Sequence, residues 1–89
     1  MFSSVNNYYE RMVFEQLPLI LAEQGEGPDE DFMEDLACIA LNRLPPRYVR
    51  HSVDLAFSLN DREWEELQAQ VEQAIHDAIG FAKRRRQPR

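Results

Sequence analysis

The sequence predicts an all-α fold, mainly helical, with one short extended segment at most. Three observations lead there. Apolar residues recur at steps of three and four over three long stretches, glycine and proline separate those stretches, and a single short run alternates with period two. With 89 residues the chain is one domain. A chain of this size buries only about 60 to 65% of the surface its unfolded form exposes. An oligomer is therefore expected, with neighbours supplying the missing burial. The domain is read as residues 1–83, followed by a basic flexible tail at 84–89.

The first stripe comprises Val5, Tyr8, Tyr9, Met12, Val13, Leu17, Ile20 and Leu21, with Ser4 placed to act as N-cap. Pro18 should interrupt it, because proline removes a backbone donor and clashes with the preceding turn. The expectation is one helix to about Gln16 and a kinked or separate turn through Ala22. Phe14 falls off the stripe and is a candidate for contact with a second subunit. Gln24 to Glu30 is a loop on composition, and Pro28 with Asp29, Glu30 and Asp31 forms a good helix start.

The second helix is predicted from Asp31 to Leu44, with Phe32, Leu36, Ile39 and Ala40 on one stripe and Met33, Ala37 and Leu41 beside it. Its breadth of apolar surface makes it central, and Cys38 reads as a small core residue. Pro45 disfavours the α region at Leu44 and should end the helix there. Beyond the prolines, Val49, Val53, Leu55, Phe57 and Leu59 take odd positions against a largely polar even set. This suggests a short strand, which would find its partner in a symmetry mate; a short helix through Leu55 is the alternative.

Asn60 with Glu63 forms a capping-box pattern, and Trp64, Leu67, Val71, Ala74, Ala78 and Phe81 then define a long helix to about Lys83. Its seam is wide enough to cover both the domain and a partner.

Composition narrows the function. The net charge of −6 hides a split, since five of the ten basic residues stand in the last seven positions. An acidic body repels the DNA backbone, so no DNA partner is expected. The N-terminus has neither a basic start nor an apolar segment, which points away from a signal peptide. No run approaches the roughly 20 apolar residues of a membrane span. The single cysteine forbids an internal disulfide, and a cytoplasmic location is the default. No Ser/His/Asp or Cys/His set supports catalysis, so the protein is read as not an enzyme. One cysteine and two distant histidines make no zinc site.

The centre of the chain carries the strongest candidate. Asn42-Arg43-Leu44-Pro45-Pro46-Arg47-Tyr48, with Arg50 and His51 beyond, lies in a window without an acidic residue between Asp35 and Asp54. Arginine forks match phosphate oxygens, a Pro-Pro turn fixes the spacing of Arg43 and Arg47, and Tyr48 offers a ring for stacking. The alternative is that these arginines pair with the many carboxylates and that Tyr48 caps the core.

Ala40-Leu41-Asn42-Arg43-Leu44-Pro45-Pro46-Arg47-Tyr48-Val49 resembles the signature of the ComFB family of late competence proteins. In that family an Asp and apolar residues, matched here by Asp35 to Leu41, precede a Leu-Asn-Arg/Lys-Leu-Pro-Pro-x-Tyr core. Asn7, Glu10, Met12, Val13 and Glu15 are similar to the family's first helix. The resemblance implies a small helical homodimer of the bacterial cytoplasm, linked to competence, type IV pili or motility. It further implies a non-enzymatic receptor for cyclic dinucleotides, cyclic di-GMP or cyclic di-AMP. The ligand-binding residues would be Asn42, Arg43, Arg47, Tyr48, Arg50 and His51. Many members carry zinc-binding cysteines between the first two helices. The equivalent stretch here, Gln24 to Asp29, has none, so no cofactor is expected. The competing reading is a ligand-free adaptor that binds a downstream protein through the exposed part of the Trp64 to Phe81 stripe.

Overall fold

A computed structural model describes residues 4–27 and 29–86, the side chains of Ser52, Asp54 and Arg86 apart. The element order is β1 (Asn6–Asn7), α1 (Tyr8–Glu23), α2 (Glu30–Arg43), β2 (Tyr48–Val49), α3 (Ser52–Ser58) and α4 (Asp61–Arg86). The three long helices α1, α2 and α4 pack against one another. Their core is Val13, Leu36, Val71 and Ile75, each fully enclosed, ringed by residues such as Tyr9, Leu17, Phe32, Ala40 and Ala78. All-α is the observed class; the extended part is two residues per strand.

The start of α1 differs from the expectation. Asn7, not Ser4, is the N-cap: its backbone is extended, and its Oδ1 accepts the Tyr9 amide at 3.2 Å. Val5 therefore precedes the helix and remains exposed. Pro18 does not break α1 either, which continues to Glu23. The missing Pro18 donor frees the Phe14 carbonyl four residues earlier, and both residues lie on the solvent side, where water can serve that carbonyl.

Helix α2 begins from Asp29, whose Oδ1 accepts the Phe32 amide at 3.2 Å, with Glu30 and Asp31 in its first turn. Pro28 lies outside the described residues. Leu44 closes the helix in extended geometry (φ −95°, ψ 141°), the consequence of the proline that follows. Cys38 is exposed, contrary to its reading as core. It shares a stripe with Glu34 and Asn42, four residues to either side and also exposed, while Phe32, Leu36 and Ala40 take the buried one.

The run after the prolines resolves differently from a long extended segment. Only Tyr48–Val49 is extended, and its partner is within the chain: Asn6 pairs with Val49 and Asn7 with Tyr48, antiparallel. No symmetry mate is needed. The remainder is α3, because the odd-numbered apolar residues form two helical pairs rather than one strand face. Leu55 is buried, with Leu59 four residues on packed at the core edge, whereas Val53 and Phe57 point outward.

Asn60 and Glu63 form the reciprocal bonds of a capping box, at 2.8 Å from the Glu63 amide to Asn60 Oδ1 and 3.2 Å from the Asn60 amide to Glu63 Oε1. Helix α4 runs to Arg86, three residues into the stretch read as tail; residues 87–89 lie outside the described residues. Its seam is spent within the domain. Leu67, Val71, Ala74, Ile75, Ala78 and Ile79 are buried, and Trp64 packs its ring on Tyr8 at 5.9 Å between centroids.

Candidate functional site

The connection from α2 to α3 is pinned to the start of α1. The Arg47 amide donates to Asn7 Oδ1 at 3.1 Å, and the Arg47 carbonyl accepts the Tyr8 amide at 2.7 Å. One asparagine thus caps α1 and fixes a residue 40 positions away. Together with the β1–β2 pairing, this sets the backbone of the elbow by hydrogen bonds as well as by the two prolines. Arg47 and Tyr48 are held at their Cα atoms while their side chains face outward.

Arg43 and Arg47 line two adjoining hollows that share Pro45 and Gln70 in their walls. The Arg43 hollow, about 230 Å³, continues along α4 past Gln73 to Asp77. The Arg47 hollow, about 240 Å³, reaches Tyr9, Glu63 and Glu66. Tyr9 donates its hydroxyl to Gln70 Oε1 at 2.7 Å. Burial pushes the pKa of that hydroxyl up, while the Arg47 charge pulls it partly back. The Arg43 guanidinium stacks on the Phe81 ring, 5.8 Å from its centroid.

The other candidates are not gathered into either hollow. Asn42 donates its side-chain amide to the Cys38 carbonyl at 2.9 Å, one turn back in its own helix. Tyr48 is 68% exposed and so does not cap the core. Arg50 is exposed, and His51 occupies the N-cap position of α3 without a side-chain capping bond. The six residues thus form an exposed ribbon along the elbow, of which Arg43 and Arg47 line the two hollows described.

The charge pattern is more telling than the shape. Arg11, Arg62 and Lys83 pair with Glu15, Glu66 and Glu26 at 3.0 to 3.3 Å. Among the described residues Arg43, Arg47 and Arg50 form no ion pair, although the chain has sixteen carboxylates to offer. Nothing among the described residues, then, supports the alternative reading in which these arginines pair with carboxylates.

Sequence reasoning missed the residue that pins Arg47, Asn7, and the walls that α4 gives to both hollows, Gln70 and Asp77 among them. Asn7 stands directly before a helical stripe, which is an N-cap signal, but nothing local announces its bond to Arg47. Gln70 and Asp77 read as ordinary solvent-facing positions of a long helix.

Fold and site together define a class: a small helical domain whose uncompensated arginines cluster at one proline elbow. The sequence profile of the late competence development protein ComFB matches residues 6–86, and the chain belongs to that family. It is accordingly a competence-related protein. No curated protein and no solved structure gives a significant match. The zinc site common in the family does not fit the residues present. The one thiol, Cys38, lies exposed on α2, and among the described residues no group of three or more His, Cys, Asp or Glu could hold a metal ion. No helix among the described residues is long and apolar enough to cross a membrane.

Proposed function

We propose that this protein is a non-enzymatic receptor for a cyclic dinucleotide, cyclic di-GMP or cyclic di-AMP. It would act as a cytoplasmic homodimer in competence, type IV pilus or motility signalling. One observation carries the reading: among the described residues the three arginines of the elbow form no ion pair, in a chain rich in carboxylates. A guanidinium left unpaired on a backbone fixed by two prolines and the Asn7 bonds is pre-organised for a small anion. The exposed Tyr48 ring is free to stack on a base.

The acidic body has the opposite effect on large polyanions. It repels a long phosphate backbone, while a compact ligand can meet the arginines of the elbow without lying along the rest of the acidic surface. Each arginine hollow is smaller than the ~300 Å³ typical of a site that encloses a ligand of drug size. A cyclic dinucleotide would therefore lie across the elbow, with parts of it in the recesses. A dimer suits a two-fold symmetric ligand, and Phe57, 86% exposed on α3, is apolar surface that a second copy would cover.

The adaptor alternative is weakened on its original surface, because the Trp64 to Phe81 stripe is buried or half-buried within the domain. Calorimetric titration with cyclic di-GMP and cyclic di-AMP, using GTP and ATP as controls, tests the receptor reading. The expected result is binding of a cyclic dinucleotide at micromolar or lower concentration, lost in Arg47→Ala. Absence of heat with every ligand would make the elbow a purely structural feature.

A further inference from the structure

Resting on that reading, we infer that the C-terminal half of α4 forms the second wall of the nucleotide site, Arg85 joining Arg43 on a phosphate and Asp77 selecting guanine.

Phe81 is where the two helices meet. The Arg43 guanidinium, at the end of α2, lies 5.8 Å from the ring centroid, and that of Arg85, one turn beyond Phe81 on α4, lies 5.5 Å from it. Two like charges are thus gathered on one ring, at a range comparable to the ~10 Å Debye length of 0.1 M salt. Among the described residues neither is neutralised by a carboxylate within ion-pair distance. Neither guanidinium forms a hydrogen bond among the described residues, so the N–H donors of both are open to a ligand. A phosphodiester, whose single negative charge is shared by two non-bridging oxygens, is a compact group that would relieve this repulsion and accept from both forks.

The adjoining hollow explains what else would bind. It is lined by Arg43, Leu44 and Pro45 from the end of α2 and by Gln70, Gln73 and Asp77 from α4, with a volume of about 230 Å³. That space suits a base rather than a whole dinucleotide. Asp77 works against a phosphate there, so the phosphate belongs at Phe81 and the base beside the carboxylate. Gln73 donates to Asp77 Oδ1 at 2.9 Å, which orients the carboxylate and leaves its second oxygen open. Guanine presents two adjacent donors on its Watson–Crick edge, the ring N1–H and the 2-amino group. Adenine presents an amino group beside a ring-nitrogen acceptor, which would face a carboxylate oxygen. A carboxylate in this position therefore favours guanine, and a polar site left unpaired by the wrong base discriminates strongly.

Titration calorimetry on the full chain tests this, with cyclic di-GMP and cyclic di-AMP run against wild type, Arg85→Ala, Asp77→Asn and Arg84→Ala. Arg84 is the charge control, since its guanidinium packs over Gly80 and not on Phe81. Circular dichroism on each variant checks the fold. Wild type is expected to prefer cyclic di-GMP. Arg85→Ala should weaken that binding about tenfold or more, Asp77→Asn should narrow the preference over cyclic di-AMP, and Arg84→Ala should stay within about twofold of wild type. If Arg85→Ala and Asp77→Asn bind like wild type while Arg47→Ala fails, the α4 wall is overturned and the receptor reading stands. Preference for cyclic di-AMP overturns the guanine assignment. No binding of either ligand by wild type overturns both readings.

Discussion

The three-helix core and the elbow with α3 are held together in opposite ways. Helices α1, α2 and α4 are joined by enclosed apolar side chains, with Val13, Leu36, Val71 and Ile75 inaccessible to solvent. The segment from Leu44 to Asn60 is attached by the buried Leu44 and Leu55 and the half-buried Val49 and Leu59, plus a few backbone bonds to Asn6, Asn7 and Tyr8. Val53 and Phe57 of α3 face outward, at 59% and 86% exposure. Stability resides in the core, where among the described residues no charged or amide side chain is buried. The charged and aromatic groups able to meet a ligand stand on the elbow and its α4 margin, where the backbone is fixed but side chains are free. Burial that anchors a residue also removes it from a ligand, so on the proposed reading stability and binding fall to different segments.

Substitutions should separate the two regions. The largest effect belongs to the core: Ile75→Ala should lower unfolding free energy by about 2–5 kcal/mol in urea titration. Any loss of ligand binding in that variant should follow the loss of folded protein. Asn7→Ala should come next, because Asn7 serves both regions. Losing its cap should lower stability by about 1–2 kcal/mol, and hydrogen exchange at the Arg47 amide should accelerate beyond what the global change predicts. Uniform acceleration across the chain would mean that the elbow is not separately tethered. Phe57→Ser should leave monomer stability within about 0.5 kcal/mol while weakening self-association in sedimentation velocity. A stability loss as large as that of Ile75→Ala would show that α3 belongs to the core.

The core was largely legible in the sequence because its signals are local. Steps of three and four mark α2 and α4, Pro45 sets the α2 boundary, and Asn60 with Glu63 announces the start of α4. The elbow was legible in composition but not in geometry. Arg43, Arg47 and Tyr48 could be named from their spacing around Pro45 and Pro46, yet the backbone at Arg47 and Tyr48 is positioned by Asn7, about 40 residues away. The strand and helix readings of residues 49–59 were degenerate for a definite reason. Alternating apolar residues at 53, 55, 57 and 59 satisfy period two, and they also make two pairs spaced by four. Only the core, which accepts Leu55 and leaves Phe57 outside, distinguishes them. Cys38 was misplaced for a related reason: a helix with apolar residues around most of its circumference does not declare which side faces water until its neighbours are known.

The measurement that tests the division of labour most directly is an amide-resolved NMR titration of the full chain with cyclic di-GMP. Shifts should concentrate at residues 42–51 and along α4 between Gln70 and Arg85, with the enclosed core around Val13 and Leu36 unmoved. Shifts centred instead on the hollow between α1 and α2, beside Phe14 and Met33, or no shifts at saturating ligand, would contradict it.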